Sequence, residues 1–447
     1  MKRPLQVLLV NPHIYDVSAY GFWSAPLGLL YVGSILRENG STIQLIDCLK
    51  EQDEKREDDG RAPFVKKRVP NPEPARLVGK RFRRYGLSRE ETLAKLHGTA
   101  RPDLVLVTSI MTYWYQGAKE VVELVRETFP SSKIVVGGLY PSLCSEHAFR
   151  QMTKADLIVG REGLQRLYAF VEETFGQKLK VTPASDDIDA MPYPAFDLYE
   201  RRLFVPLLTS IGCAYRCTYC AASFLRPRMK RRTPKSVLEE MGHWMGKGVS
   251  RFALYDDSFL VGAADFAKPL LRAIAGLSST PAIYNPNALN ASLIDDETAA
   301  LLRQAGFQEI RLGLETSDPD LQRETGGKVD EKTFEGAVKA LLEAGFLPGE
   351  IRAYVLAGLP LQKWQDVKKS IDYACGLGIK VSLAQYTPIP HTEMFERHKG
   401  LARYPIEEEP LFQNNALFPF AWEGFGEGEM NYLKAYVRER NREGENR

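Results

Sequence analysis

The feature of this sequence that most restricts its fold is an alternation of short apolar segments with helical segments, which occurs in two series. In the first series, the apolar segments 5–12, 103–109 and 155–160 are each followed by residues with helical spacing, and 133–138 is a further apolar segment. Strands this apolar are typical of a parallel sheet that helices cover on both faces. The series predicts an α/β domain over residues 1–180, with ligands bound beyond the carboxyl ends of its strands.

The second series lies within residues 206–400, after a segment 181–205 whose prolines and lack of periodicity indicate a linker. Six apolar segments alternate with helical segments there, which favours a partial (β/α) barrel with its chemistry at the carboxyl ends of the strands. Residues 401–447 form an acidic and aromatic C-terminal extension, to which the sequence assigns no role.

Charge and hydropathy argue against two classes of partner. The formal net charge is +2, so no overall field points to a nucleic acid or an anionic membrane. No apolar run approaches the roughly eighteen residues that a membrane span requires. We therefore expect a cytoplasmic protein with neither a membrane nor a nucleic acid as its partner.

One segment departs from this balance of charge. An insertion at about 50–100 interrupts the first series, and its part from Lys66 to Arg84 carries eight Lys or Arg and one acidic residue. A solvated surface loop, a lid over an anionic ligand and a docking surface for a partner are all consistent with this composition.

Three of the six cysteines lie within eight residues, in "CAYRCTYC", on the loop after the first predicted barrel strand. Thiolates such as those of Cys213, Cys217 and Cys220 hold iron–sulfur clusters well, and three of them leave one iron of a 4Fe–4S cluster open to a further ligand. A zinc site is the alternative, but no fourth Cys or His is near. The isolated cysteines, interpreted as buried or idle thiols, are Cys48, Cys144 and Cys375.

The C-x3-C-x2-C spacing, with an aromatic residue just before the third cysteine, resembles the radical S-adenosylmethionine (SAM) superfamily. The resemblance implies a partial (β/α)6 barrel and a 4Fe–4S cluster that, once reduced, cleaves SAM to methionine and a 5′-deoxyadenosyl radical. It also implies a low-potential reductant of the ferredoxin or flavodoxin type as a partner. The SAM-binding residues implied at the strand ends are Tyr219, Asp256, Asp257, Glu315, Ser317, Arg352 and Gly358.

The N-terminal domain resembles the Rossmann-like cobalamin-binding domain of one branch of that superfamily, through "VLLVNP", "PLGLLYVGSIL", "VVGGLYPSL" and "GREGL" in this order. In "NPHIYD", His13 lies where other cobalamin enzymes have a cobalt ligand, but Asn11 replaces the orienting acid. We expect His13 to be an ordinary surface or loop residue. The implied cobalamin-binding residues are Thr108, Ser109, Gly137, Gly138, Tyr140, Gly160, Glu162 and Gly163.

The aromatic segment "MTYWY" follows a predicted strand end. Tyr113, Trp114 and Tyr115 are interpreted as walls of a substrate cavity, with core packing as the alternative.

Taken together, the two resemblances imply a cobalamin-dependent radical SAM C-methyltransferase that acts on an unactivated carbon. The cysteines leave room for one cluster. The expected substrate is a small molecule, a protein or a peptide, with a peptidyl side chain such as glutamine as one candidate. Two alternatives stay open: rearrangement, cyclisation or carbon–carbon bond formation without methyl transfer, and a non-catalytic iron–sulfur protein.

Overall fold

The computed structural model describes residues 3–445, and the chain forms two compact units. The first unit comprises the chain up to Arg202 together with Tyr404–Leu417, and the second comprises Leu203–Arg403 together with the chain from Phe418 onward. The residues beyond 180 up to Arg202 thus belong to the first unit. The C-terminal extension is divided, because its segment Tyr404–Leu417 belongs to the first unit and the rest to the second.

The first unit contains a five-stranded parallel sheet with the strand order β3-β1-β6-β7-β8. The central strands are buried on both faces, as their unbroken apolar runs predict. The chain passes from β1 to β3 on one side and then to β6 on the other, so the order reverses between β1 and β6. Parallel α/β sheets bind ligands at such a switch point. The strands of this unit are β1 (Gln6–Asn11), β2 (Ile14–Asp16), β3 (Thr42–Asp47), β4 (Lys66–Arg68), β5 (Arg83–Tyr85), β6 (Leu104–Ser109), β7 (Lys133–Gly138) and β8 (Leu157–Ile158).

Helices fill the connections of this sheet. Helix α2 begins with a capping box, in which Ser88 and Glu91 satisfy each other's backbone N–H groups. Helix α6 ends at Gly176, whose left-handed conformation stops the helix. The helices of the first unit are α1 (Leu27–Glu38), α2 (Arg89–His97), α3 (Tyr115–Thr128), α4 (Leu139–Leu143), α5 (Ser145–Gln151) and α6 (Leu164–Phe175).

The basic insertion is a folded element of the first unit. Its strands β4 and β5 join β2 in an antiparallel sheet with the order β2-β5-β4. Phe64, Phe82 and Tyr85 are buried beneath this sheet and its loops. The segment therefore has an apolar core of its own, which a purely solvated loop would not have.

The second unit contains six parallel strands in chain order, as the alternation of its sequence predicts. Strands β9, β12 and β13 form one ladder and β14, β15 and β16 form another. A parallel bridge between Leu289 and Leu312 follows β13 and continues the series toward β14. The partial (β/α)6 architecture is thereby confirmed. The strands are β9 (Val205–Leu207), β10 (Ser210–Ile211), β11 (Lys230–Arg231), β12 (Arg251–Leu254), β13 (Ala282–Tyr284), β14 (Ile310–Glu315), β15 (Ile351–Ala357) and β16 (Lys380–Gln385).

Helices follow most of these strands, and several have the caps that their sequences predict. Thr233 accepts a hydrogen bond from the Ser236 N–H at the start of α8, with Pro234 in the first helical position. The helices of the second unit are α7 (Ala222–Leu225), α8 (Pro234–Met245), α9 (Lys268–Ala275), α10 (Asp296–Gln304), α11 (Pro319–Thr325), α12 (Glu331–Glu343), α13 (Trp364–Gly376), α14 (Glu393–His398) and α15 (Glu427–Glu445). Among the helices within residues 3–445, none has both the length and the apolar character needed to cross a bilayer.

Candidate active site

The three clustered cysteines lie on the loop between β10 and α7, near the carboxyl end of the first barrel strand. All three are free thiols; Cys217 is buried, and Cys213 and Cys220 are half-buried. The Cys220 N–H donates to the Cys217 carbonyl (3.0 Å), and the Tyr215 N–H points at the Cys213 Sγ (3.5 Å). Local backbone turns therefore gather three thiols on one short loop.

Burial and the neighbouring thiols disfavour ionisation of Cys217 and Cys220. Burial raises the pKa of Cys217, and the neighbouring thiol of Cys213 raises it further. Burial also raises the pKa of Cys220, with a contribution from Cys217. Iron would reverse this preference, because it binds the thiolate and displaces the proton.

Lys328, which the sequence analysis did not single out, is the cation of this site. It opposes the rise in the pKa of Cys217 through its charge and a hydrogen bond. Burial lowers the pKa of Lys328, but the thiol of Cys217 and the carboxyl of Glu315 outweigh burial, so its pKa is raised. Its Nζ also lies 5.5 Å from the centre of the Tyr215 ring. No spacing motif marks this residue, because it lies more than a hundred positions after the cysteines.

A close backbone approach brings Lys328 to the cysteine loop. Gly326, just after α11, has φ +142°, and a Cβ added there would lie 3.1 Å from the Cys217 Sγ. A side chain at this position would push against the thiol. Gly326 thus has a packing reason to be glycine, and Gly327 has a conformational one, because its φ of +59° is left-handed.

Two predicted SAM-binding residues, Tyr219 and Glu315, meet in the structure. The Tyr219 hydroxyl lies near the Glu315 carboxyl at the end of β14 and helps to hold down the pKa of that carboxyl. Burial raises the pKa of Glu315, while Lys328 and Tyr219 oppose this shift. Glu315 has φ +64°, a left-handed conformation that non-glycine residues rarely adopt. Such strain is concentrated at functional sites in proteins.

The two aspartates after β12 differ sharply in environment. Asp256 is buried, and its carboxyl accepts hydrogen bonds from the Thr209 hydroxyl and the Ser210 hydroxyl, both at 2.6 Å. Burial raises the pKa of Asp256 to about 6. Asp257 is exposed, and its Oδ2 accepts from the Gly212 N–H (2.9 Å). Asp256 therefore secures the turn after β9, and Asp257 is the carboxylate accessible to a ligand.

Ser317 and Arg352 both have protein partners. The Ser317 N–H and hydroxyl lie 2.9 and 3.0 Å from the Ser370 hydroxyl on α13. Arg352 is half-buried in β15, with its Nη1 3.4 Å from the Ser382 hydroxyl on β16. On the adjacent strand, Arg311 is buried and donates to the Tyr354 hydroxyl (2.8 Å). Arg311, which no sequence motif marks, adds a second guanidinium to this region of the barrel.

Gly358 borders an aromatic pocket at the carboxyl ends of β15 and β16. It has φ +84°, and its N–H donates to the Gln362 side chain (2.9 Å). The hydroxyl of Tyr386, also at the pocket, is buried and has no hydrogen-bond partner among the described residues. The residues that line the pocket are Gly358, Gln385, Tyr386, Phe418, Pro419, Phe420, Trp422, Phe425 and Met430.

In the first unit, a small cavity lies at the switch point between β1 and β6. Thr108 and Ser109, both predicted to bind cobalamin, are among its lining residues. Gly137, on the neighbouring strand β7, has open space where a Cβ would be, since only the Val159 carbonyl comes within 4 Å (3.8 Å). The cavity is lined by Asn11, Pro12, His13, Ile14, Leu49, Thr108, Ser109, Ile110, Trp114 and Ala118.

Gly138 and Tyr140 are closely packed against other residues and have structural roles. A Cβ on Gly138 would lie 2.5 Å from the Ser109 carbonyl oxygen, and its φ of +107° also requires glycine. Tyr140 is fully buried, and its hydroxyl hydrogen-bonds the His147 Nδ1 (2.7 Å). Their predicted contact with cobalamin has no support from this geometry.

The remaining predicted cobalamin-binding residues lie around the start of α6. Glu162 is exposed and pairs with Arg166 (3.0 Å), and Gly163 precedes the helix with φ +67°. A Cβ on Gly160 would meet the Glu162 carboxylate and the Pro141 carbonyl, each at 3.1 Å. These residues shape the loop after β8.

Of the three aromatic residues predicted to form a substrate cavity, only Trp114 lines a cavity in the described structure. Its Nε1 donates to the buried Asp16 carboxyl (2.6 Å), which also accepts from Asn414 (2.7 Å). The Tyr115 ring is buried and stacks on Tyr140. Core packing, the alternative considered above, thus describes Tyr115, and Tyr113 is buried as well.

His13 is neither a surface residue nor free to bind a metal. Its side chain is fully buried; its Nε2 lies 3.0 Å from the Glu120 carboxylate and its Nδ1 accepts from Arg84 (3.1 Å). Burial lowers the pKa of His13, so the ring is neutral and both nitrogens are engaged. His13 lies in the loop between β1 and β2, in agreement with the expectation of a surface or loop residue, but it is buried because α3 packs on this loop, where a Cβ on Gly117 would lie 1.9 Å from the His13 carbonyl oxygen.

Within residues 3–445, no group of three or more His, Cys, Asp or Glu side chains is arranged to hold a single metal ion. The three thiols do fit an iron–sulfur cluster by the chemistry of the donor set, since they are free, adjacent and close enough to influence one another's pKa.

The chain is similar to known proteins over most of its length. Residues 207–374 match the family model described as the radical SAM superfamily. An uncharacterised methyltransferase of Pyrococcus horikoshii is 22% identical over 88% of this chain and 83% of its own length. The cytidylyl-2-hydroxyethylphosphonate methyltransferase of Streptomyces wedmorensis is 20% identical over 88% of this chain and 81% of its own length.

Among solved structures, the chain has the fold of TsrM, a radical SAM methyltransferase from Kitasatospora setae. The structure of TsrM with cobalamin and a [4Fe-4S] cluster superposes with a TM-score of 0.63 and 18% identity, over 92% of this chain and 85% of that chain. A second TsrM structure, with tryptophan substrate and a SAM analogue, has the same TM-score and identity, over 91% of this chain and 83% of that chain.

Proposed function

We propose that this chain, whose residues 207–374 match the radical SAM superfamily model, is a cobalamin-dependent radical SAM methyltransferase that methylates an unactivated carbon. The observation that carries the proposal is the group of three free thiols beside Lys328, Tyr219 and Glu315 at the strand ends of the barrel. A separate α/β sheet with a cavity at its switch point supports the second cofactor, and TsrM, which has the same fold, was solved with cobalamin bound.

The three cysteines would hold a 4Fe–4S cluster, which when bound supplies the electron for reductive cleavage of SAM. The chain contributes the local environment. Cys217 is buried, and Lys328 places a positive charge beside its sulfur. A cation next to a thiolate favours the ionised ligand and compensates part of the cluster's negative charge.

The groups around the thiols complement the polar parts of SAM. The exposed Asp257 carboxylate fits the α-ammonium, and the Lys328 ammonium fits the α-carboxylate. Glu315, oriented by Tyr219, is suited to accept hydrogen bonds from ribose hydroxyls. The aromatic pocket at Gly358 has the flat apolar walls that a purine requires, and the unpaired Tyr386 hydroxyl offers it a polar contact.

Cobalamin would bind at the switch point of the first unit, where it supplies a carrier for the methyl group. Gly137 leaves space for close approach, and Thr108 offers a half-buried hydroxyl. His13 does not supply a lower ligand, because Glu120 and Arg84 occupy both of its ring nitrogens. The remaining predicted contacts, at Ser109, Gly160, Glu162 and Gly163, belong to the same proposal.

Two classes of methyl acceptor are in question. A peptidyl side chain such as glutamine fits a chain with a basic surface insertion. A small polar molecule is the second candidate, since TsrM was solved with tryptophan substrate bound and another relative is a cytidylyl-2-hydroxyethylphosphonate methyltransferase. The half-buried Arg352 suits an acceptor that carries a carboxylate or phosphate, whereas the guanidinium of Arg311 is already paired with Glu309 (2.6 Å).

The test is an anaerobic assay of the reconstituted protein with methyl-deuterated SAM, dithionite, cobalamin and one acceptor at a time. A glutamine-containing peptide library, tryptophan and cytidylyl-2-hydroxyethylphosphonate are the acceptors. We expect one acceptor to gain a deuterated methyl group while S-adenosylhomocysteine and 5′-deoxyadenosine both form. Deoxyadenosine without S-adenosylhomocysteine would instead favour rearrangement, cyclisation or carbon–carbon bond formation. No SAM cleavage under any condition would leave the non-catalytic iron–sulfur protein.

A further inference from the structure

The folded insertion carries a dense positive surface that the proposed chemistry does not use. We call it the basic surface and define it as Lys66, Lys67 and Arg68, which are the whole of β4, with Arg76 and Arg81 on the loop that follows. All five side chains are exposed. A single acidic residue, Glu73, lies in this stretch, so the local charge is strongly positive on a chain whose formal net charge is only +2.

The charges of the basic surface are compensated only weakly within the protein: Glu90 lies close enough for the charge of Lys67 to help lower the pKa of its carboxyl. Among the described residues, none of its five cations forms an ion pair. Arg83 and Arg84, at the end of the same stretch, differ, because Arg84 pairs with the Glu120 carboxylate (3.1 Å) and Arg83 donates to the Val17 carbonyl (3.0 Å). Weakly compensated cations held close together repel one another, and they attract an anionic partner over about a Debye length, roughly 8–10 Å.

The loop that carries Arg76 and Arg81 is held in one shape by a single side chain. The Asn71 amide donates to the carbonyls of Ala75 (3.2 Å), Val78 (3.1 Å) and Lys80 (2.9 Å). This arrangement forms one wall of a concave pocket of about 600 Å³, lined by Arg68, Val69, Pro70, Asn71, Val78, Gly79, Lys80 and Arg81. The cations are therefore presented on a defined framework.

Strand β4 also has an open edge. It is the outer strand of the sheet β2-β5-β4, and it pairs only with β5. An edge strand presents unpaired N–H and C=O groups that can accept an additional strand. Lysine at such an edge discourages neutral or cationic chains, but an acidic chain would neutralise the lysines as it pairs.

We propose that the basic surface docks an extended acidic segment of a partner protein, which adds to the open edge of β4 as a further strand. Backbone hydrogen bonds would supply affinity and the cations would select acidic side chains. Leu77, which is 98% exposed on the same loop, offers an apolar contact next to the charges.

The composition of the surface favours a peptide over a single-stranded nucleic acid. Proteins bind single strands by stacking bases on exposed aromatic rings. The one aromatic residue between Lys66 and Arg84 is Phe82, and it is fully buried. The proposal does not depend on the cofactors or on the reaction proposed above.

Fluorescence anisotropy with the full-length protein tests it. The probe is a fluorescein-labelled ten-residue peptide of alternating Glu and Val. We expect saturable binding that weakens about tenfold in K66E/R68E and, separately, in R76E/R81E, because each reversal replaces an attraction with a repulsion. The matched control is K154E/K180E, which reverses two exposed lysines elsewhere in the first unit and should leave binding unchanged.

Two further probes decide how the segment binds. The same peptide methylated on alternate backbone nitrogens should not bind, because it cannot complete the ladder with β4. Equal binding of the methylated peptide, or equal binding to the protein and both reversal variants, would overturn the proposal. Tighter binding of a uridine ten-mer, lost in the same variants, would overturn it in favour of a nucleic-acid surface, and so would a failure of the acidic peptide to bind.

Discussion

The ammonium of Lys328 lies beside the Cys217 thiol, close enough to oppose the rise in the pKa of that thiol, although 111 positions separate the two residues. Strand β14 ends at Glu315, α11 turns the chain back, and Gly326 then packs against Cys217 closely enough to bring the lysine to the sulfur. The same lysine faces the Glu315 carboxyl. One cation therefore lies between the proposed cluster ligands and the proposed ribose-binding carboxylate.

Replacement of this lysine separates SAM binding from cluster assembly. In Lys328→Gln we expect the Kd for SAM to rise about 10- to 100-fold, because a charge-assisted hydrogen bond to the SAM carboxylate contributes about 1.5–3 kcal/mol. Iron content should stay near that of the wild type, since the lysine is not a ligand. Isothermal titration with SAM and an iron assay are the measurements. Lys332→Gln, an exposed change nearby, is the control, and unchanged SAM affinity in Lys328→Gln would contradict the proposed contact.

The cluster ligands are tested by their spectra. Cys213→Ala, Cys217→Ala and Cys220→Ala should each lose the broad absorption near 400 nm and most of the roughly four irons expected per chain after anaerobic reconstitution. Cys375→Ala, which removes a half-buried thiol on α13, should retain both. Zinc in place of iron in the protein as isolated, with no gain on reconstitution, is the result that would argue against a cluster.

Two adjacent glycines at the end of β7 should respond differently to alanine. In Gly138→Ala the new Cβ would meet the Ser109 carbonyl oxygen at 2.5 Å, and φ +107° is unfavourable for alanine. The strained backbone alone should lower the free energy of unfolding by about 1–3 kcal/mol. In Gly137→Ala the Cβ has open space, so the unfolding free energy should change little.

The affinity for cobalamin then tests whether Gly137 contacts the corrin, in contrast to Gly138, whose role is structural. If the corrin approaches Gly137, Gly137→Val should weaken binding of hydroxocobalamin at least about tenfold, measured by the change in its visible spectrum, without loss of stability. Equal affinity in the wild type and in Gly137→Val would place the corrin elsewhere.

The raised pKa of Asp256 leads us to expect that the free energy of unfolding depends on pH. Burial raises its pKa from 3.8 to about 6 in the folded protein, so the folded state binds more protons than the unfolded state between these values. The stability that this group contributes is full below about pH 4 and decreases as the pH rises through 6, by about 3 kcal/mol in total. In Asp256→Asn this loss should be absent.

Urea unfolding of the apoprotein at pH 4, 5, 6 and 7 measures the effect, as the difference between wild type and Asp256→Asn. Asp257→Asn is the matched control, because Asp257 is exposed and should affect SAM binding more than stability. A difference between wild type and Asp256→Asn that does not change with pH would show that the Asp256 carboxyl is not held in its protonated form.

Much of the candidate site could be predicted from local signals in the sequence, and the rest could not be predicted in this way. The spacing of Cys213, Cys217 and Cys220 is a property of one loop, and Glu315 and Gly358 lie where the predicted strands end. Asp256 and Asp257 look equivalent in sequence, yet one is buried against Thr209 and the other faces solvent. Which of two adjacent side chains points inward depends on the exact residue at which β12 ends, and element boundaries are the least predictable feature of a sequence.

The aromatic segment shows the same limit. Tyr113, Trp114 and Tyr115 carry no sign in sequence of which one would line a cavity. Tyr115 is buried, and its hydroxyl donates a hydrogen bond to Glu409 (3.0 Å), which lies nearly three hundred residues further along the chain. The sequence assigns no role to the C-terminal extension, whereas in the structure its segment Tyr404–Leu417 is part of the first unit.

The sequence by itself determined the alternation of strands and helices, the presence of an α/β domain and a barrel, and the three thiols on one loop. These depend on hydrophobic periodicity and on short spacings, which act between residues a few positions apart. Only the tertiary structure decided that Lys328 reaches Cys217, that Arg84 and Glu120 occupy both nitrogens of His13, and that the insertion presents its cations beside an open strand edge. Such contacts depend on how distant segments pack in three dimensions, because burial and packing determine which partners meet, and no local pattern records that choice.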